Sequence, residues 1–366
     1  MEARFYCVLL VALLCVLPQS VAEAQQSYKE VDNVSYVSDT DTSAYRHERC
    51  KLDIYYPTGT PRPFKTIVWF HGGGLTGGQK EIPTDLKGQG VAVVAPNYRL
   101  SPRAHNPQYT EDAAEAVAWV MKHINEYGGD ASQVYVSGHS AGGYLTLMLA
   151  LDKSYLAKHG IDADSIRGYF PIGGQTATHY TIRQERRISF TSPIVDKYSP
   201  LNNVRKLSTR LVLITGDRKL EQMGRYEENL YLKAVLEGIG NKEIPIHELS
   251  GFDHGNAAYP GRILMMDYIR KDTQRKSVIN DAGKGEPVSR TLIVFYDGNV
   301  GKKPLKAALK RLDCKIIYDY RNLNGMAVEI PEKGDVNNIM KQLRKTKGVV
   351  GVHRDSILSL QGAGAV

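Results

Sequence analysis

The sequence predicts two folded units: an α/β unit built on a mainly parallel sheet, then a small α+β unit. Three observations carry this. The chain has 366 residues, more than the roughly 100 to 200 of a usual single domain. From Thr66 onward, short β-branched or aromatic runs alternate with segments of helical period, the pattern of a sheet covered by helices on both faces. Around residues 276–289, the stretch SVINDAGKGEPVSR loses this periodicity and gathers small, polar and turn-forming residues, which marks a linker.

The elements follow in order. TIVWF runs into a glycine cluster, VAVVAP into NYRLSP and VYVSG into a serine between glycines; GYFPIGG, LVLITGD and IPIHELSG read as later strands. The clearest helix is EDAAEAVAWVMKHI, where Ala113, Val117, Val120 and Ile124 share one face. In such sheets, sites collect at the carboxyl ends of the strands. Beyond the linker, TLIVFY, KPLKAALKRL, CKIIYDY, GMAVEIP, DVNNIMKQLRKTK and VVGVHRDSILSL give the order βαββαβ, a ferredoxin-like arrangement. The N-terminus has one arginine, the apolar run FYCVLLVALLCVL and then Ala22, Glu23 and Ala24, which predicts a signal peptide over residues 1–24 and a secreted or periplasmic chain. That run is shorter than the ~20 residues a spanning helix needs. The expected units are therefore 25–275 and 290–362, joined by 276–289. Residues 27–45 are left open between a cap over the site and a loose arm.

Composition narrows the partners. The net charge of +8 is spread without a like-charge block or a basic repeat with interleaved aromatics, so a solvated basic surface is expected and nucleic acid is not. Cys7 and Cys15 fall in the expected signal, which leaves Cys50 and Cys314 far apart and predicts two buried thiols rather than a disulfide framework. Neither lies at metal-ligand spacing from His or carboxylates, so no metal is expected. Asn33 opens a glycosylation sequon with Val34 and Ser35.

The chemistry gathers around Ser140. A serine hydroxyl is a weak nucleophile at neutral pH and needs a base and donors for the oxyanion formed on attack. GHSAG, residues 138–142, fits GxSxG between an apolar strand and a helix-compatible run, the context of a strained nucleophile turn with small flanking residues. HGGG, His71 to Gly74, follows the strand TIVWF; its backbone N–H groups, with that of Ala141, suit an oxyanion hole. For the base, His254 in GFDHGN stands in a glycine-flanked loop after a strand. His247 alternates within that strand, His123 and His159 fall on or near helices, and His139 adjoins the serine; these read as packing or surface residues. His179 is a further candidate for the pocket border. The expected acid is Asp217 at the end of LVLITG, with Glu221 as the alternative; Asp253 reads as loop-shaping. The acid must orient the imidazole and stabilise its cation.

HGGG, NYRLSP at 97–102, GHSAGG and YSPLNNV at 198–204 together resemble the α/β-hydrolase carboxylesterases and lipases of the hormone-sensitive-lipase type, over residues 45 to 270. The resemblance implies an α/β-hydrolase fold, a Ser140–Asp217–His254 triad, oxyanion donors at Gly73, Gly74 and Ala141, a structural role for His71, and acyl transfer to water without a cofactor. The substrate would be a small or short-acyl ester. Arg183, Arg186 and Arg187 in THYTIRQERRISFTS read as solvated surface. Residues 290–361 resemble the propeptide or inhibitor domain of subtilisin-like proteases, which implies a protease or other protein as a possible partner. Two alternatives stand beside the esterase: an inactive hydrolase scaffold that binds, and an inhibitor or docking function in the C-terminal unit. A peptidase of the prolyl-oligopeptidase kind lacks the expected propeller repeats.

Overall fold

The structure is a computed structural model that describes residues 27–59, 63–222, 224–242, 244–278, 291–320 and 324–354. The expected signal peptide and most of the expected linker lie outside the described residues.

The first unit is a nine-stranded sheet. Its strands are β1 (Ser27–Ser35), β2 (Lys51–Thr58), β3 (Phe64–Phe70), β4 (Ala92–Pro96), β5 (Gly129–His139), β6 (Gly168–Ile172), β7 (Arg210–Leu211), β8 (Leu213–Gly216) and β9 (Ile246–Leu249). The order is β1-β2-β4-β3-β5-β6-β8-β9, with β7 also on β6. From β4 onward the pairing is parallel, while β1 and β2 add an antiparallel edge. The first part of the segment left open between cap and arm is thus sheet: β1 pairs along β2, and beyond it the Tyr36 hydroxyl donates to the Asn97 carbonyl at 2.6 Å.

Helices cover both faces: α1 (Ala44–Arg49), α2 (Gln108–His123), α3 (Ala141–Leu151), α4 (Lys153–Ala157), α5 (Tyr180–Glu185), α6 (Arg225–Gly238) and α7 (Ala258–Val278). The two faces divide neighbouring residues. Val68, Val94 and Val136 pack with α2 and α3, whereas Ile67, Val93 and Tyr135 pack with Met265 and Ile269 of α7. That is the period of two in strands buried on both sides, and each large apolar side chain so enclosed contributes about 1.5–3 kcal/mol. Every residue of α3 is buried, which explains why AGGYLTLMLAL has no polar stripe. Cys50 and Cys314 are free and buried; burial pushes the Cys50 thiol up to about 12.

The second unit has β10 (Thr291–Tyr296), α8 (Lys303–Arg311), β11 (Lys315–Tyr320), β12 (Gly325–Glu329), α9 (Val336–Arg344) and β13 (Val349–Arg354). Its sheet runs β11-β12-β10-β13, antiparallel throughout. Leu292 and Val294 meet Leu305 and Leu309 of α8 and Ile339 and Leu343 of α9 in one core. The βαββαβ reading therefore describes the folded unit. α7 runs to Val278, past the expected domain end at 275.

Candidate active site

The site lies where β3, β5, β6 and β8 end. Ser140 sits between β5 and α3 with φ 57° and ψ −114°, a sparsely populated conformation for an L-residue. The surroundings hold it there. Its N–H donates to the Ile172 carbonyl at 2.8 Å, and a β-carbon on Gly138 would stand 2.6 Å from the Gly142 carbonyl carbon. A β-carbon on Gly142 would overlap the Phe70 carbonyl oxygen. Because main chain meets main chain, neither neighbour can turn aside. Gly142→Ala is expected to cost about 3 kcal/mol or more and to displace Ser140. Urea denaturation checks this; a midpoint unchanged from the parent would refute the packing argument.

The glycine loop reaches the serine from β3. A β-carbon on Gly72 would lie 3.4 Å from that of Ser140, and Gly73 and Gly74 take φ 109° and 64°, where glycine has no steric cost. Among the described residues, no group accepts from the N–H of Gly73, Gly74 or Ala141; Ala141 belongs to the first turn of α3, whose N–H groups lack helical partners. His71 holds the loop rather than serving as base. Its Nδ1 donates to the Gly72 carbonyl at 2.7 Å, and its ring stacks on Tyr98 at 4.4 Å. The Tyr98 hydroxyl donates to the His71 carbonyl at 2.8 Å. Arg49 ties down the far side through the carbonyls of Gly78 (2.6 Å) and Tyr98 (3.0 Å). Burial lowers the His71 pKa to about 4, so the ring is neutral. In NYRLSP, Tyr98 supports this loop, and Arg99 forms a buried bidentate pair with Asp112 at 2.7 and 2.8 Å.

His254 stands in the loop after β9. Its Nε2 lies 2.8 Å from Ser140 Oγ, and its Nδ1 bonds to a carboxylate. That carboxylate is Glu221, not Asp217. Asp217 is spent on the backbone: its side chain accepts from the N–H of Lys219 (2.9 Å) and Gly251 (2.8 Å), and its carbonyl accepts from Glu221 N–H at 2.7 Å. It therefore folds the turn that brings Glu221 round. Glu221 also accepts from Gly216 N–H (2.9 Å) and Gln222 N–H (3.0 Å), and its side chain is 1% exposed. Burial alone would raise this carboxyl; the His254 bond and charge and the two amides outweigh it and hold it below the usual glutamate range.

His139, expected to pack or lie at the surface, holds the His254 loop: its Nε2 donates to the His254 carbonyl at 2.7 Å, and the rings lie 4.8 Å apart. Burial, with the His254 charge, lowers its pKa to about 4. Its position beside the serine was the one available signal. His179 is buried and caps α5, accepting from Thr181 N–H at 3.2 Å; burial holds it neutral. Asp253 accepts from Asn256 N–H at 2.8 Å, the loop-shaping place expected of it. Among the three arginines, Arg183 departs from the surface reading: it is buried and donates to the Ser192 carbonyl at 2.6 Å. Arg186 and Arg187 are exposed.

Known proteins align with both units. Residues 52–232 match the BD-FAE family model, and residues 273–352 match the model of the fervidolysin N-terminal prodomain. The chain is 42% identical over 124 residues to the probable carboxylic ester hydrolase LipM of Mycobacterium tuberculosis, covering 32% of this chain and 29% of LipM. It is 25% identical over 232 residues to the esterase LipC of the same organism, 56% of each chain. The chain thus spans less than two thirds of these curated relatives. A truncated carbohydrate esterase from gut microbiota has the same fold, with TM-score 0.56 and 20% identity over 69% of this chain and 99% of that one. A bacterial heroin esterase gives TM-score 0.50 at 18% identity, over 69% and 86%. Residues 52–232 thus match the BD-FAE family model within a unit of α/β-hydrolase fold, and the unit after it resembles the fervidolysin prodomain.

Proposed function

We propose that the chain is a secreted serine esterase acting on small or short-acyl esters through Ser140, His254 and Glu221. The observation that carries the reading is the aligned series Ser140 Oγ, His254 Nε2 at 2.8 Å, and Glu221 on Nδ1. His254 takes the Ser140 proton as Oγ attacks the ester carbonyl carbon, and the carbonyl oxygen becomes an oxyanion that accepts from the N–H groups of Gly73, Gly74 and Ala141. His254 returns the proton to the departing alkoxide. Water, deprotonated by His254, then attacks the acyl-enzyme and frees the acid and Ser140. Glu221 stabilises the imidazolium formed in each half. The chemistry needs no cofactor. The Tyr180 hydroxyl stands against Gly74, its ring backed by His179 at 4.4 Å, which supports a small acyl group. Secretion rests on the N-terminal segment alone.

The test is hydrolysis of a p-nitrophenyl acyl series, with a fluorophosphonate adduct mapped by mass spectrometry. Turnover that falls with chain length, with the adduct on Ser140, is the expected result. No turnover together with no adduct would overturn the reading and leave a binding protein on a hydrolase scaffold.

A further inference from the structure

A loop between β6 and α5 encircles the site, and its last residue aims a free hydroxyl at the glycine loop. It begins at Gly173, where a β-carbon would lie 3.2 Å from His254 Cε1. Next it passes α3, with Gly174 so close that a β-carbon there would lie 2.7 Å from the Gly143 carbonyl carbon. It ends at Tyr180, the first residue of α5. Its path is fixed at both ends. Arg225 donates to the Gly173 carbonyl and Asn229 to that of Gly174 at 2.9 Å. At the other end, Tyr180 N–H donates to Gln175 Oε1 at 3.1 Å and the Thr181 hydroxyl to the Gly74 carbonyl.

These ties set the Tyr180 ring between His179, at 4.4 Å, and Phe190, at 5.6 Å. Its hydroxyl occupies the space that a side chain on Gly74 would need. Among the described residues, nothing hydrogen-bonds to that hydroxyl. A phenol held by its backbone and ring neighbours, with its donor unspent beside N–H groups that are also unspent, is arranged for a ligand atom.

We infer that Tyr180 is a further catalytic residue, whose hydroxyl donates to the substrate carbonyl oxygen as that oxygen becomes negative. This rests on the ester-hydrolase reading above. The phenol keeps its proton throughout: it adds a donor to the Gly73, Gly74 and Ala141 amides and takes no part in proton transfer. A preset donor of this kind acts on the transition state more than on the ground state. Tyr180→Phe removes the one oxygen and no protein hydrogen bond, so the fold is expected to stand.

The experiment compares wild type and Tyr180→Phe on p-nitrophenyl acetate, with thermal melting and inhibition by a trifluoromethyl ketone. The expected result is a kcat lowered about ten- to hundredfold, KM within about threefold, an unchanged melting temperature and ketone affinity weakened in step with kcat/KM. A Tyr180→Phe kcat within about twofold of wild type would overturn the assignment and leave the esterase reading standing. So would a loss confined to KM, or one that tracks a lowered melting temperature. Absence of wild-type turnover and of a Ser140 adduct would overturn both.

Discussion

Glu221→Gln is expected to lower kcat on p-nitrophenyl acetate by about ten-thousandfold, whereas Asp217→Ala lowers it less than about tenfold. The difference follows from where each carboxylate is spent. Among the described residues, Glu221 alone meets His254 Nδ1. An amide of the same size can present its NH2 to that nitrogen and so favour the tautomer with the proton on Nε2, which cannot accept from Ser140. Changes of this kind in a serine triad cost about 10⁴ in kcat. Asp217 instead accepts two backbone N–H groups, from Lys219 and Gly251. Its loss leaves them to water and costs about 1–2 kcal/mol of stability, with the imidazole still held by Glu221. Kinetics on both variants, with circular dichroism to show that they are folded, decides the matter. Equal losses would mean that the turn, rather than the Glu221 charge, orients the base.

Acid is the second strong lever. The folded protein is expected to lose stability steeply as pH falls from about 6.5 toward 4. His71 and His139 are lowered to about 4 by burial, and His179 lies well below its ordinary 6.5 for the same reason. Between these limits the unfolded chain binds protons that the folded chain refuses. Stability therefore rises with pH in this window: the contribution is complete above 6.5 and lost as pH falls through the folded values. Each such group contributes about 1.4 kcal/mol per pH unit, so three approach 4 kcal/mol per unit, against a typical total of about 5–15 kcal/mol. Glu221, held below its ordinary 4.5, adds its loss only beneath that window. Melting temperatures from pH 7.5 to 4.5 test this, with His139→Gln expected to reduce the slope by one share. A flat profile between 6.5 and 4.5 would mean that these rings charge without opposing the fold.

The sequence showed most clearly what steric necessity writes locally. GHSAG and HGGG are legible because Gly138, Gly142, Gly73 and Gly74 sit where a β-carbon would meet main chain, the Tyr180 hydroxyl or a left-handed conformation. The βαββαβ order was legible because the apolar runs of β10, α8, β12, α9 and β13 face one core, although Ile316 and Ile317 of β11 are exposed. The acid was not. Asp217 and Glu221 share one loop, and the choice between them depends on a turn whose own hydrogen bonds consume the first carboxylate. His139 and Tyr180 were hidden for a related reason, since each acts on a partner 115 or 106 positions away and nothing in its neighbours announces that meeting. β1 escaped because SYKEVDNVS lies on the sheet edge, with no residue fully buried and so no period of two to read.

The dispersal of the site along the chain fixes when it can exist. Ser140 lies between Gly74 and Glu221, and His254 comes last. During synthesis the nucleophile turn is released more than a hundred residues ahead of its base, so a chain arrested in between carries an inert serine. Domains generally fold as units, the first made first. The prodomain-like unit begins only after His254, so it emerges when every residue of the candidate site has been made. A unit at the front of a chain is made before its neighbour; the prodomain-like unit here is made after it.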